Sequence, residues 1–254
     1  LELETGRRKE LIMDTIKMVD SSARDRHIRA ILYGEAGAGK THLLRDFPKP
    51  MLIFDFDQKY EPLMGVEGIE VISYCVKGDD PKQYTALRKK FWADWKTAAK
   101  GTEFETLVVD SLTNLDSFLI KAFLVESGKA FDAKVTLPVF GDLKGFYQTI
   151  FNSMRGCQDK HVITIAHEKF HTNDNGGVIA VKPLITGSMK DEICALFKDT
   201  WYLQYDKLGS KETRTLYYKK FKMRTCASTT LRGEGKIVDP TFEKITAEIK
   251  KENK

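Results

Sequence analysis

The chain lacks any apolar run close to the roughly 18 residues that would cross a bilayer as a helix, so no helical membrane span is expected. Cysteine is scarce and scattered: Cys75, Cys157, Cys194 and Cys226 make neither a C-x-x-C pair nor a zinc-type spacing, which leaves reduced, structural thiols as the expectation. Charge of one sign is also missing, since 41 basic against 36 acidic residues give a net +5, too mild to indicate nucleic acid by itself. The first residues, Leu1-Glu2-Leu3-Glu4, have neither a basic n-region nor an apolar h-region, and a cytosolic location is expected. No internal repeat, low-complexity tract or Pro/Gly-rich linker divides the chain. What is present, 254 residues that are 42% apolar and 11% aromatic, suffices for one large α/β domain with a substantial core.

The most informative stretch is Gly34-Glu35-Ala36-Gly37-Ala38-Gly39-Lys40-Thr41, which fits G-x-x-x-x-G-K-[ST] and follows an apolar strand from Arg29 to Tyr33. A strand, a Gly-rich turn and a helix start direct several backbone N–H groups into one concavity that suits phosphate oxygens. Nucleoside triphosphate binding is therefore expected. Lys40 would reach the β- and γ-phosphates, and Thr41 would offer its hydroxyl to Mg²⁺.

Around this motif, strands and helices alternate. Leu11, Ile12, Thr15, Ile16 and Val19 recur at helical spacing. Met51 to Asp57 reads as a buried strand ending in two acids, Ile69 to Cys75 as another, and Pro81 to Ala99 as a surface helix. Thr106 to Asp110 is a further apolar strand, followed by a helix from Leu112 to Ser127, a break over Gly128–Gly141 and a helix from Asp142 to Cys157. Val162 to Ala166 is a β-branched strand ending at His167. Alternation of this kind predicts a mainly parallel sheet covered on both faces. After Asp199 the texture changes: Trp201–Tyr205 and Arg214–Phe221 predict an antiparallel meander turning near Gly209, and the tail from Pro240 predicts a charged, fraying helix.

Three acids and a histidine fall at predicted strand ends. Asp110 has the position of an acid holding the shell of a phosphate-bound Mg²⁺. Ser111 follows it, so an acceptor for the proton of attacking water must come from elsewhere. Asp55 and Asp57 end a strand expected beside the phosphate turn, at the carboxyl edge where ligands bind open sheets. Asp57 is preferred as the base and Asp55 is the alternative; the competing reading has one of them merely capping the next turn. His167 would face the γ-phosphate from its own strand end, against the plainer reading of a structural histidine.

Together these residues resemble the RecA-type core: a P-loop, an acid closing Ile53-Phe54-Asp55-Phe56-Asp57, and Leu107-Val108-Val109-Asp110-Ser111 before a helix. Within it the chain looks most like phage-encoded AAA-type nucleotide-binding proteins of the Sak group, through Ile163-Thr164-Ile165-Ala166-His167-Glu168-Lys169 and through Pro183 to Lys190 before Asp199-Thr200-Trp201-Tyr202-Leu203. The resemblance implies a RecA-like P-loop NTPase core with a C-terminal antiparallel extension, and ATP with Mg²⁺ as cofactors. It implies Asp57 as the catalytic acid and His167 as the γ-phosphate sensor, where the family has Gln. It also implies a homo-oligomeric ring or filament with nucleotide at the interface, single-stranded DNA and a single-strand-binding protein as partners, and the host cytosol as location. A basic triplet of such families has an imperfect counterpart in Lys222-Met223-Arg224; Lys220, Lys222 and Arg224 are candidates to reach a neighbour's phosphates, with a solvated basic strand as the equal alternative.

Two loops are candidates for DNA in this resemblance, Gly128–Gly141 with Lys129, Phe131 and Lys134, and Glu168–Lys182 with Lys169, Phe170, His171 and Lys182. Asn173-Asp174-Asn175-Gly176-Gly177 could turn the second into a hairpin. The expected organisation is a helical lead-in over 1–27, the ATPase core over 28–230 and a tail over 231–254. The expected function is an ATPase acting on single-stranded DNA in phage recombination or strand annealing. The rivals are an ATP-gated DNA binder or assembly switch with little turnover, and a P-loop kinase, disfavoured because no Arg-rich lid is evident. An AAA+ motor is disfavoured because Asp110-Ser111 lacks the adjacent Glu.

Overall fold

Continuous apolar runs bounded by turn residues become buried central strands, because only a strand covered on both faces can accept apolar side chains of both parities. The computed structural model describes residues 27–78 and 80–250. The predicted helix through Leu11 and Val19 lies outside the described residues.

The elements in chain order are β1 (Arg29–Gly34), α1 (Lys40–Leu43), β2 (Met51–Asp55), β3 (Ile69–Ser73), α2 (Lys82–Lys100), β4 (Thr106–Asp110), α3 (Leu112–Glu126) and α4 (Leu137–Gly156). There follow β5 (His161–Thr172), β6 (Val178–Pro183), α5 (Met189–Leu196), β7 (Asp199–Leu208), β8 (Lys211–Tyr217), β9 (Ala227–Ser228), β10 (Lys236–Val238) and α6 (Phe242–Ile249). The main sheet runs β10-β8-β7-β1-β5-β4-β2-β3. From β7 to β3 every neighbouring pair is parallel, and β8 and β10 extend it antiparallel. The phosphate-turn strand β1 is separated from the acid-bearing β4 by one strand, β5.

Side-chain alternation divides the core into two halves. Ile31, Tyr33, Leu52, Phe54, Leu107 and Val109 face one side, where Phe91 and Trp95 of α2, Leu115 and Leu119 of α3, and Tyr147 and Phe151 of α4 cover them. Ala30, Leu32, Met51, Ile53 and Val108 face the other, with Leu43, Trp201, Leu216 and Ile245. Phe54, Phe56, Tyr74, Phe91 and Trp95 form a chain of ring contacts between 5.0 and 6.3 Å, and Trp95 Nε1 donates to Ser153 Oγ at 2.9 Å, tying α2 to α4.

Several sequence-based expectations need correction. The strand closed by the acids, β2, does not lie beside the phosphate turn; β5 and β4 intervene. Helix α4 begins at Leu137, five residues before the predicted start, because Pro138 occupies the first turn, where its missing N–H costs nothing, and Gly141 and Gly145 are absorbed into the helix. Strand β5 does not end at His167 but continues to Thr172, since its second half leaves the parallel sheet to pair antiparallel with β6. Strand β10 extends the main sheet, Ile245 of α6 is fully buried, and Phe242 packs 5.0 Å from Phe47. Thr241 caps α6 by accepting from Lys244 N at 3.2 Å, so the helix is anchored at its start.

Candidate nucleotide site

The loop from Gly34 to Gly39 is shaped by its glycines. Gly37 (φ 81°) and Gly39 (φ 90°) take the left-handed conformation that side chains resist. Gly34 has a different reason: a Cβ there would stand 2.3 Å from the carbonyl oxygen of Leu203 in β7. The loop delivers Lys40 and Thr41 to the start of α1, which runs four residues before tightening into a 3₁₀ turn at Leu44–Asp46.

Parallel register then aligns the other candidates. Asp55 of β2 pairs with Asp110 of β4, and Gly34 pairs with His167 of β5, so all stand at one carboxyl edge. A cleft of about 500 Å³ results, lined by Ala36, Gly37, Gly39, Lys40 and Thr41 of the loop together with Asp57, Asp110 and His167. Asp55 is not on its wall. Its Oδ1 instead accepts from the amides of Asp57 (3.0 Å) and Gln58 (2.8 Å), so Asp55 caps the turn that presents Asp57. The capping reading weighed for these two acids therefore applies to Asp55.

Within the cleft, Thr41 Oγ1 donates to Asp110 Oδ2 at 2.8 Å. Burial pushes the Asp110 carboxyl up to about 6, with the Thr41 hydroxyl opposing the shift, so the group is largely ionised at neutral pH. Lys40 Nζ donates to the carbonyls of Gly34 (2.9 Å) and Glu35 (2.7 Å); an ammonium has three donors, which leaves one for a phosphate oxygen. Burial lowers Lys40 to about 8, against the pull of Asp110, Glu168 and Asp57. Hydroxyl and carboxylate oxygens side by side are the donor types a small hard cation takes, and Thr41 and Asp110 fit a Mg²⁺ that keeps waters and phosphate oxygens as its other ligands.

Asp57 receives a hydrogen bond from Asn114 Nδ2 of α3, and Lys59 Nζ lies 3.3 Å from its Oδ1. His167 Nε2 faces its Oδ2 at 3.8 Å, an electrostatic neighbour rather than a hydrogen-bond donor. The facing imidazole, then Lys59, outweigh the cost of burial and hold the Asp57 carboxyl below its ordinary range. His167 is itself fixed through its backbone: its N–H donates to Thr113 Oγ1 at 3.0 Å, and Thr113 donates to the Leu184 carbonyl at 3.0 Å. Thus His167 is tied to α3 and to the strap after β6.

A family comparison decides the broader identity. A family described as AAA domain matches residues 26–225. The chain belongs to that family. A comparison with curated proteins finds no match. Two solved structures share a distant likeness with this AAA domain. A KaiC-like protein from the archaeon Pyrococcus horikoshii is 10% identical, with 84% of this chain and 89% of that one covered at a TM-score of 0.39. The flagellar accessory protein FlaH from Methanocaldococcus jannaschii is 12% identical, with the same coverage and a TM-score of 0.40. Likenesses this remote carry no argument about what the AAA domain does.

The candidate DNA loops of the AAA domain differ. In the segment after α3, Phe131 stacks on Tyr84 with centroids 5.8 Å apart, and Lys129 Nζ donates to Thr136 Oγ1 at 3.2 Å, so the aromatic ring is engaged with α2. The second segment is a hairpin of β5 and β6, turned at Asn173–Gly177, where Gly177 N donates to Asn173 Oδ1 at 2.8 Å. It leaves Phe170 52% exposed, and the neighbouring Lys169 is exposed on the opposite face of the strand. Of the basic candidates, Arg224 lies 5.0 Å over the ring of Tyr202 and 5.9 Å over Phe221, while Lys220 and Lys222 are exposed. Sequence reasoning missed Arg214 of β8, which lines the cleft next to Gly39. Nothing in the local sequence marks it, since only the antiparallel return of β8 brings it to the loop.

Proposed function

We propose that this AAA domain is a Mg-dependent, RecA-like ATPase whose nucleotide state is passed to a DNA-facing hairpin. The observation that supports it most is the convergence of Lys40, Thr41, Asp110, Asp57 and His167, contributed by four separate strands or their following turns, on one cleft. Phosphoryl transfer asks mainly for positioning and charge neutralisation. In this reading the loop amides and Lys40 hold the phosphates, while Thr41 and Asp110 hold a Mg²⁺ that neutralises phosphate charge. Asp57 orients the attacking water and receives its proton. His167 contacts the γ-phosphate, and because β5 runs without interruption from His167 into the hairpin, its displacement moves Lys169 and Phe170. The AAA domain over 28–230 is the catalytic unit in this proposal, with copies assembling into a ring or filament and Lys220, Lys222 or Arg224 reaching across. Single-stranded DNA, a single-strand-binding protein and a setting in phage recombination or strand annealing follow from the sequence resemblance.

A second reading, an ATP-gated binder or switch with little turnover, draws on one observation. A carboxylate held below its ordinary range by His167 and Lys59 is a weak proton acceptor, which favours slow hydrolysis. Steady-state phosphate release with and without single-stranded DNA separates the two. Asp57→Asn is expected to abolish turnover while sparing ATP binding in a filter or calorimetric assay; turnover equal to the parent protein would remove Asp57 from the reaction.

A further inference from the structure

A second, smaller cleft of about 170 Å³ adjoins the first and shares Gly39, His42 and Arg214 with it. Asp57, Asp110 and His167 line only the first; Asp46, Asp239 and Thr241 line only the second. The two clefts therefore meet at Gly39, the γ-side acids lie to one side, and a polar rim lies to the other.

Arg214 forms the shared wall. Its side chain lies so close to the phosphate loop that a Cβ on Gly39 would stand 2.6 Å from Nε, and that Nε is buried without a hydrogen-bond partner. The ring of Tyr205 backs the guanidinium at 5.6 Å. Its backbone is clamped to the far rim: Arg214 N donates to Asp239 Oδ1 at 3.0 Å, and Asp239 N donates to the Arg214 carbonyl at 2.7 Å. A planar fork of donors held over a phosphate-binding turn, with one donor unused, suits a phosphate oxygen.

We infer that the small cleft takes the nucleoside of the bound nucleotide, and that Arg214 is a same-chain cation on the α-phosphate where the clefts join. This rests on the first cleft being the phosphate site. Loop amides hold the α- and β-phosphates and Lys40 reaches toward β and γ. With the γ end directed at Asp57 and His167, the ester end leaves the loop on the other side of Gly39, beneath Arg214. Beyond it, the carboxylates of Asp46 and Asp239 accept from sugar hydroxyls or a base amine. Arg214 thereby does within one chain part of what Lys220, Lys222 and Arg224 were expected to do from a neighbour.

The test is a competition titration of the full-length protein against a fluorescent ATP analogue, using ATP, ADP and inorganic tripolyphosphate, with thermal melting to confirm each variant folds. Arg214→Ala is expected to weaken ATP and ADP roughly tenfold to a hundredfold, the span of a charged hydrogen bond, and Arg214→Lys to recover only part of the loss. Asp46→Tyr, at an exposed rim position, is expected to weaken ATP and ADP at least tenfold while leaving tripolyphosphate unchanged, because only the nucleoside is obstructed. ATP binding unchanged in Arg214→Ala, or Asp46→Tyr leaving the ratio of ATP to tripolyphosphate affinity as in the parent, overturns the inference. Lys40→Ala is the separate control: if it leaves tripolyphosphate binding intact, the phosphate site itself has been misplaced and both readings fall.

Discussion

Acidification through the range where His161 titrates should destabilise the protein by an amount that can be worked out in advance. His161 opens β5, is buried, and accepts from Ile28 N through Nδ1 at 3.1 Å. The rings of His27, Phe242 and Phe47 surround it at 5.1, 5.2 and 6.3 Å. Burial, with His27 and Arg29 adding to it, lowers its folded pKa to about 4 against 6.5 for an exposed imidazole. Because the unfolded chain takes the proton more readily, the stability due to neutral His161 is complete above about pH 6.5 and is lost as pH falls toward 4. By linkage the loss is about 2 kcal/mol between pH 7 and pH 5, and about 3 kcal/mol in full below pH 4. Urea unfolding monitored by Trp fluorescence reports it, since Trp95 and Trp201 are both buried. Other carboxylates and histidines contribute to the raw pH dependence, so the decisive quantity is a difference between proteins. His161→Asn keeps an acceptor for Ile28 N and loses the titration. It is expected to be less stable at pH 7 through lost ring packing, yet to lose about 2 kcal/mol less than the parent on going to pH 5. Equal losses in the two proteins would refute the assignment of a neutral, buried His161.

Three further outcomes can be checked. Asp116 accepts from Tyr147 Oη (2.8 Å), Thr186 N (3.0 Å) and Thr186 Oγ1 (2.7 Å), joining α3, α4 and the strap after β6; Asp116→Ala orphans all three donors and should cost about 2–4 kcal/mol in urea unfolding. Gly34→Ala forces a methyl against the Leu203 carbonyl and should cost about 1–3 kcal/mol together with a loss of ATP affinity; a variant as stable as its parent would show that β7 does not press on the loop. For the hairpin, Phe170→Ala should weaken single-stranded DNA binding by about 1–3 kcal/mol at unchanged salt dependence, whereas Lys169→Ala should lower the slope of log affinity against log salt by about 0.7; no effect of either removes the hairpin from the DNA interface.

The local sequence determined the parts that depend on local physics. The glycines and Lys40-Thr41 specify a phosphate turn because backbone conformation and side-chain reach are set within eight residues. The apolar runs at β1, β2, β4 and β5 specify buried strands, and the change of texture after Asp199 specifies the meander, whose strands β7 and β8 turn at Gly209. The start of helix α4 is not legible in the sequence because Gly141 looks like a break until packing by Val139 and Leu143 shows otherwise.

Strand order was decided only by the tertiary structure, since hydrogen bonding between strands far apart in the chain has no local signature. That order put β5 and β4 between the phosphate turn and β2, yet register still brought Asp57 to the cleft while turning Asp55 into its cap. It also carried β5 past His167 into the hairpin and returned β8 so that Arg214 lies over Gly39. A motif states which chemistry a segment can hold. Which other side chains reach that segment is a matter of long-range pairing, and only the folded sheet settles it.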